Sequence, residues 1–245
     1  MDTSTADTRP LAIISGGSRG LGYEVAKALA DKGFDLALIA KDSQRLEDSA
    51  SRLRATGSLI STFACDLEEP HLVRELVDSI TQSQPTPTVL VLAHGVMSEK
   101  MSKTLKTNDA EWRRVMAINL DSVFQLVNGI VPAMADARKG RVIIFSACLG
   151  RMSGPGNAGG LAPYRISKAG VNALVRNLAH ETGLGARGLL VDAICPNHSR
   201  TDMGGPDAPR SAEEGAATAV WLATREFNAG DITGVLWEDQ QIVPW

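Results

Sequence analysis

Cysteine is scarce in this chain, and the three present, Cys65, Cys148 and Cys195, have no paired spacing. Neither a disulfide framework nor a zinc site is expected, and four scattered histidines add no metal pattern. A cationic surplus is also missing: 25 Lys and Arg stand against 28 Asp and Glu, a formal net charge of −3. Neutralising nucleic-acid phosphates needs the opposite balance, so no nucleic-acid partner is expected. No apolar run reaches the roughly 18 residues that span a bilayer. The first ten residues are polar and lack the apolar core of a signal peptide. A soluble cytoplasmic protein without a membrane partner is the expectation. Tyrosine is rarer still, with Tyr23 and Tyr164 the only two. Against these shortages, 44% hydrophobic and 22% charged residues are the proportions of an ordinary folded protein, which excludes disorder as the main state. The 245 residues suit one α/β domain, 1–245, with 1–9 expected to be flexible.

Six short apolar runs punctuate the sequence: Leu11 to Ile14, Leu36 to Ala40, Leu59 to Ala64, Val89 to Ala93, Val142 to Phe145 and Leu189 to Ile194. They are nearly continuous rather than alternating, as strands buried on both faces of a parallel sheet are. Between them, segments such as Gly22 to Lys32 and Arg45 to Arg54 carry Ala, Leu and Val at helical spacing. Regular strand and helix alternation predicts a doubly wound α/β fold with a parallel sheet flanked by helices. The Gly- and Pro-rich stretches Gly150 to Pro163 and Gly204 to Ser211 read as loops. No internal repeat or shift in composition marks a second domain.

The stretch Ser15-Gly16-Gly17-Ser18-Arg19-Gly20-Leu21-Gly22 follows the first run and opens the first helix. Glycines at 16, 20 and 22 let the backbone turn sharply and approach a pyrophosphate. The helix amino end beyond them offers free N–H groups and a favourable dipole. The second strand then ends in Ala40-Lys41-Asp42. A cation at that place accepts the 2′-phosphate of NADP, whereas an acid binds the ribose diol of NAD. Arg19 and Lys41 together favour NADP(H), and Asp42 leaves the NAD alternative open.

Four landmarks in order make the chain resemble the short-chain dehydrogenase/reductase family over nearly its whole length. The glycine turn is similar to that family's Thr-Gly-x-x-x-Gly-x-Gly. Asp66-Leu67 resembles its adenine-contacting acid, and Asn119 falls at its helix-embedded Asn. Tyr164-Arg165-Ile166-Ser167-Lys168 is the Tyr-x-x-x-Lys element, whose spacing puts Tyr and Lys on one helix face. The segment from Arg200-Thr201 to Trp245 looks like the carbonyl-reductase-like branch. The resemblance implies a single Rossmann-type sheet of about seven strands and a homodimer or homotetramer. Val123 to Met134 is available to that contact or to the core. It also implies NADP(H) resting on Gly16, Ser18, Arg19, Gly20, Leu21, Gly22, Lys41, Asp66, Leu67, Ala93, His94, Gly95, Tyr164, Lys168, Pro196, Ser199 and Thr201. In that scheme Tyr164 is the acid/base, Lys168 holds the nicotinamide ribose and lowers the tyrosine pKa, and Asn119 holds a water on the proton path.

Three departures qualify the resemblance. Counting from Asn119, the family's catalytic Ser falls on Ala147, with Ser146 one place early and on the opposite strand face. Cys148 lies next, a weak donor. The usual Asn-Asn-Ala-Gly reads Leu92-Ala93-His94-Gly95, and the Pro-Gly turn reads Pro196-Asn197-His198. Asn197 tolerates left-handed geometry, so that turn is expected to survive. His198 becomes the candidate substitute for the missing hydroxyl. The resulting expectation is an NADPH-dependent ketoreductase for a small or medium carbonyl substrate, walled by the loop Gly150 to Pro163 and by Met203 to Arg210. A non-redox enzyme using NADP(H) structurally is the alternative. A regulatory cofactor binder is a third, opposed by the presence of Tyr164, Lys168 and Asn119.

Overall fold

Strands β1 (Leu11–Ser15), β2 (Asp35–Ala40), β3 (Ile60–Ala64), β4 (Val89–Leu92), β5 (Gly140–Phe145), β6 (Leu189–Ile194), β7 (Leu236–Glu238) and β8 (Gln241–Val243) build one sheet. The computed structural model describes residues 9–99, 102–154, 158–228 and 230–245. The strand order is β3-β2-β1-β4-β5-β6-β7-β8, parallel throughout except that β8 returns antiparallel on β7. The six apolar runs in the sequence are the first six strands to within one or two residues. The last two escape a search for apolar runs because each is three residues long. Asp239 and Gln240 join them with φ of 50° and 60°, the left-handed pair of a tight hairpin.

Buried strands feed two cores by alternation. Ile13 and Ile39 point to one side with Leu90 and Val142, whereas Ile14 and Leu38 point to the other with Val91 and Ile143. The first core is closed by α3 (Pro70–Ser83), α5 (Ser122–Asp136) and α6 (Ala162–Glu181), through Val73, Leu126, Ile130 and Val175. The second is closed by α1 (Gly20–Asp31), α2 (Ser43–Arg54) and α7 (Ala212–Thr224), through Val25, Leu29, Leu46 and Leu222. Helix α4 (Asp109–Met116) runs through a π-helical turn, Ala117–Asp121, directly into α5. This 28-residue run is apolar enough by composition to cross a bilayer. Val123, Leu126, Val127, Ile130, Val131 and Met134 are instead buried in the core. Most of the apolar residues from Val123 to Met134 are therefore core, whereas Phe124 in the same stretch stays 53% exposed.

The chain winds outward from β1 to β2 and β3, then crosses back to β4 beside β1. Such a reversal leaves a crevice at the carboxyl ends of β1 and β4, because successive loops depart to opposite faces. Of the expected flexible start, residues 1–8 lie outside the described residues. Arg9 donates to the Gly57 carbonyl at 2.8 Å.

Candidate active site

The crevice is lined by the glycine turn, by Lys41, Asp66 and Leu67 at one end, and by Tyr164 and Lys168 at the other. Two glycines in the turn are dictated by space. Gly16 has φ of +72°, and a Cβ there would meet the His94 amide nitrogen at 3.0 Å. A Cβ on Gly22 would stand 2.3 Å from the Gly16 carbonyl oxygen, so α1 packs onto the turn only without one. Ser18, Arg19, Gly20 and Leu21 complete this wall, and Thr201 lies over Gly20.

Both cations at the near end have partners. Arg19 pairs with Asp202, and Lys41 Nζ sits 2.5 Å from Asp66 Oδ2. The hydrogen bond to Asp66 raises the Lys41 pKa. Burial pushes Asp66 up, but its bond to Lys41 and the Glu68 amide outweigh that and hold it low. Asp42, the acid that kept NAD in play, does not line the crevice. Its Oδ1 caps α2 by accepting from the Arg45 amide at 2.9 Å.

At the far end, Tyr164 and Lys168 are 6% and 4% exposed on α6. Lys168 Nζ donates to the Phe145 carbonyl at 2.7 Å and lies 5.9 Å from the Tyr164 ring centre. Burial lowers the Lys168 pKa to about 8. Burial first, then the Cys195 and Cys148 thiols, push the Tyr164 phenol well above its ordinary range. The amino end of α6 is held from outside the helix. The Tyr164 amide donates to Ser98 Oγ at 2.8 Å, and the Ala162 amide to the Ser102 carbonyl at 2.8 Å. Asn119 is fully buried in the π turn and does not line the crevice. Its side chain accepts from Val96 N at 2.8 Å and donates to Val96 O and Ser167 Oγ.

Ser146 reaches the crevice wall and Ala147 does not. The Ser146 hydroxyl is nevertheless occupied behind α6, 2.5 Å from Asn172 Oδ1. Asn172 was legible in principle, since it stands four residues beyond Lys168 on the same helix face. Ser98 and Ser102 carry no comparable signal, because a loop serine capping a distant helix leaves no pattern in sequence.

The two unusual histidines part company. His94 is buried in the crevice floor. Its Nδ1 lies 2.5 Å from Ser15 Oγ and its Nε2 lies 2.9 Å from Ser122 Oγ. Ser122 donates its own proton to the Ile118 carbonyl at 2.8 Å. The imidazole therefore donates through Nε2, and a neutral ring accepts from Ser15 at Nδ1. His198, the expected substitute donor, is exposed and outside the crevice lining. Asn197 does take the left-handed φ, 56°, and His198 Nε2 lies 2.8 Å from the Gly204 carbonyl oxygen. Pro196 and Thr201 face the crevice as expected, with Ala93 and Gly95. Ser199 does not: it is buried and donates to the Pro196 carbonyl at 3.0 Å.

Burial, then the Lys168 charge, depress the His94 pKa from 6.5 to about 3. A base so depressed binds fewer protons folded than unfolded below pH 6.5. Stability is complete above that pH and is lost as pH falls, by about 2 kcal/mol at pH 5. Thermal melts between pH 7 and 5 should therefore fall more steeply in the native protein than in His94→Asn, which takes up no proton. Parallel slopes would show that the ring is not held neutral.

The short chain dehydrogenase family model matches residues 10–212. The chain is 31% identical over 204 residues to a 3-oxoacyl-acyl-carrier-protein reductase of Pseudomonas aeruginosa, covering 82% of this chain and 79% of that one. A Streptomyces violaceoruber protein named as ketoacyl reductase 1 of granaticin polyketide synthase is 31% identical over 235 residues, covering 94% and 81%. The NADPH carbonyl reductase 1 of Mus musculus is 27% identical across 281 aligned positions, covering 98% and 100%. Among solved structures, a short chain dehydrogenase from Shigella flexneri superposes with a TM-score of 0.81 at 22% identity, covering 94% and 91%. A metagenomic blue fluorescent protein in complex with NADPH gives 0.80 at 24% identity, covering 93% and 94%. The family match over most of the chain agrees with the sheet order, the glycine turn and the buried Tyr164–Lys168 pair: this protein belongs to the short-chain dehydrogenase/reductase family.

Proposed function

We propose that this protein is an NADPH-dependent ketoreductase acting on a small or medium carbonyl compound. One observation carries the reading. Tyr164 and Lys168 stand buried at the far end of a crevice whose near end is framed by the glycine turn and two cations. The fit to a dinucleotide is supported by the bare backbone of that turn at the start of α1, which suits a pyrophosphate. Bound there, the nicotinamide supplies the hydride. The chain's own residues supply the proton and the positioning. Burial keeps the Tyr164 phenol protonated, so it holds the proton that a reduced carbonyl oxygen needs. In this reading Lys168 holds the nicotinamide ribose, and Asn119 fixes the Val96 segment of the crevice wall.

NADPH is favoured over NADH by two features. Asp42 is committed to capping α2, so it is not offered to a ribose diol. Arg19 and Lys41, each leaning on an acid, can both turn to a 2′-phosphate as charge-assisted donors. Neither candidate hydroxyl is free for the substrate oxygen, since Ser146 is engaged and position 147 is Ala. That observation favours a second reading, in which the same crevice performs isomerisation, cyclisation or dehydration with NADP(H) structural. Trp112, Phe124 and Ile166, on α4, α5 and α6, remain 38%, 53% and 42% exposed. We infer from them a homodimer or homotetramer.

Three measurements test these statements. Titration should give tighter binding of NADPH than of NADH, and Lys41→Asp should narrow or reverse the preference; equal affinities in the native protein would sink the cofactor assignment. NADPH absorbance followed over a panel of ketones should show turnover. Tyr164→Phe should lower kcat by on the order of 10²- to 10⁴-fold with NADPH binding retained. Turnover untouched by Tyr164→Phe would leave the non-redox reading as the better account. Light scattering at micromolar concentration should give a multiple of the 26.0 kDa chain mass, reduced by Phe124→Glu, and a monomer would overturn the assembly.

A further inference from the structure

Two of the three cysteines, far apart in sequence, meet behind the catalytic phenol. Strands β5 and β6 are neighbours with Phe145 opposite Ile194, and the chain stays anchored just beyond them. The Ser146 amide donates to the Ile194 carbonyl at 2.8 Å, and the Cys195 amide to the Trp237 carbonyl at 2.8 Å. Cys195 Sγ is thereby held 3.0 Å from the amide nitrogen of Cys148. A disulfide requires Cα atoms usually 4.4–6.8 Å apart, and a Cys195 sulfur 3.0 Å from the Cys148 amide nitrogen is compatible with that separation. Because the Cys195 sulfur already lies against the Cys148 backbone, closing the bond asks chiefly for side-chain rotation.

The pair is also chemically asymmetric. The Cys148 amide donates to the Cys195 sulfur. The neighbouring Cys195 thiol holds the Cys148 thiol below the usual range, while Cys195 is pushed far up by Cys148 and by burial. Cys148 is partly exposed and Cys195 is 2% exposed. One sulfur is thus reachable and readily ionised, and its partner is protonated and shielded, the arrangement of an attacking and a resolving thiol. Cys65 serves as an internal contrast: it is 7% exposed, and burial raises it to about 11.

We propose that Cys148 and Cys195 form a peroxide-oxidisable dithiol that closes to a disulfide behind Tyr164 and lowers turnover; its effect on turnover rests on the reductase reading. In the first step the Cys148 thiolate attacks one oxygen of hydrogen peroxide, giving a sulfenic acid and releasing hydroxide, which takes up a proton to become water. In the second, Cys195 sulfur attacks Cys148 sulfur, the S–O bond breaks, and the departing hydroxyl leaves with the Cys195 proton as water. Two electrons pass from the thiols to the peroxide. A dithiol reductant such as dithiothreitol returns them. Closing the bond pulls together the segments carrying Ser146 and Pro196, which line the crevice with Tyr164.

The test treats the full chain with hydrogen peroxide at neutral pH. Intact mass should fall by two hydrogens, the thiols counted after denaturation should drop from three to one, and a non-reducing digest should link the Cys148 and Cys195 peptides. NADPH turnover should fall at least about tenfold, as small displacements of a catalytic group produce, and dithiothreitol should restore it. Cys148→Ala and Cys195→Ala should each resist that loss, whereas Cys65→Ser should still suffer it. Three intact thiols, or Cys148 driven to sulfinic acid with Cys195 still free, would overturn the proposal. A disulfide that forms with turnover unchanged would overturn the link to Tyr164. The mass and thiol counts need no substrate, so their outcome is separate from that of the reductase assay.

Discussion

A neutral imidazole between two hydroxyls ties together the three segments that make the crevice. Ser15 ends β1 and begins the glycine turn, His94 follows β4, and Ser122 opens α5 behind the π turn that holds Asn119. The ring is buried, so its two partners cannot be exchanged for water, and losing either leaves an unsatisfied nitrogen in the core. The Gly16 turn lies against the same His94 backbone at a distance that admits no side chain. A family pattern that puts asparagine side chains at this strand end is thus replaced by one residue that spans farther. The floor of the site remains stapled by different chemistry.

Legibility in the sequence followed the length scale of each interaction. The first six strands were readable because burial on both faces writes four to six apolar residues in a row. Strands β7 and β8 were not, because a three-residue strand closed by Asp239 and Gln240 writes no run and no glycine. The glycine turn, Asp66 and the Tyr164–Lys168 pair were readable because local spacing carries them. Asn119 sits in its helix as its spacing implies, with its side chain bonded to Val96 and Ser167. His198 was misread because strand order predicts where a loop begins and not where its side chains turn. A left-handed Asn197 and the Gly204 carbonyl sent it outward.

Electrostatically the crevice has two unlike ends. Its mouth carries exposed cation–anion pairs, Arg19 with Asp202 and Lys41 with Asp66, whose strength water and salt diminish. Its far end is dry, and there a buried amine and a buried phenol both drift toward their neutral forms. An anionic ligand entering at the mouth meets groups that can rearrange at little cost. At the far end, a small change in local charge moves proton affinities by much more.

The cap on α6 has a consequence for how rigidly Tyr164 is placed. Leu161 takes a left-handed φ of 51° before the helix, and the first amides find partners on Ser98 and Ser102 rather than on a capping side chain of their own. The phenol's anchorage is in this way on loan from a loop on the other side of the crevice. Whenever Ser98 lifts away, the Tyr164 amide loses its acceptor and the first turn of α6 frays. Protection of the Tyr164 amide from solvent hydrogen exchange therefore measures the opening of that loop, and helix and loop behave as a single cooperative unit.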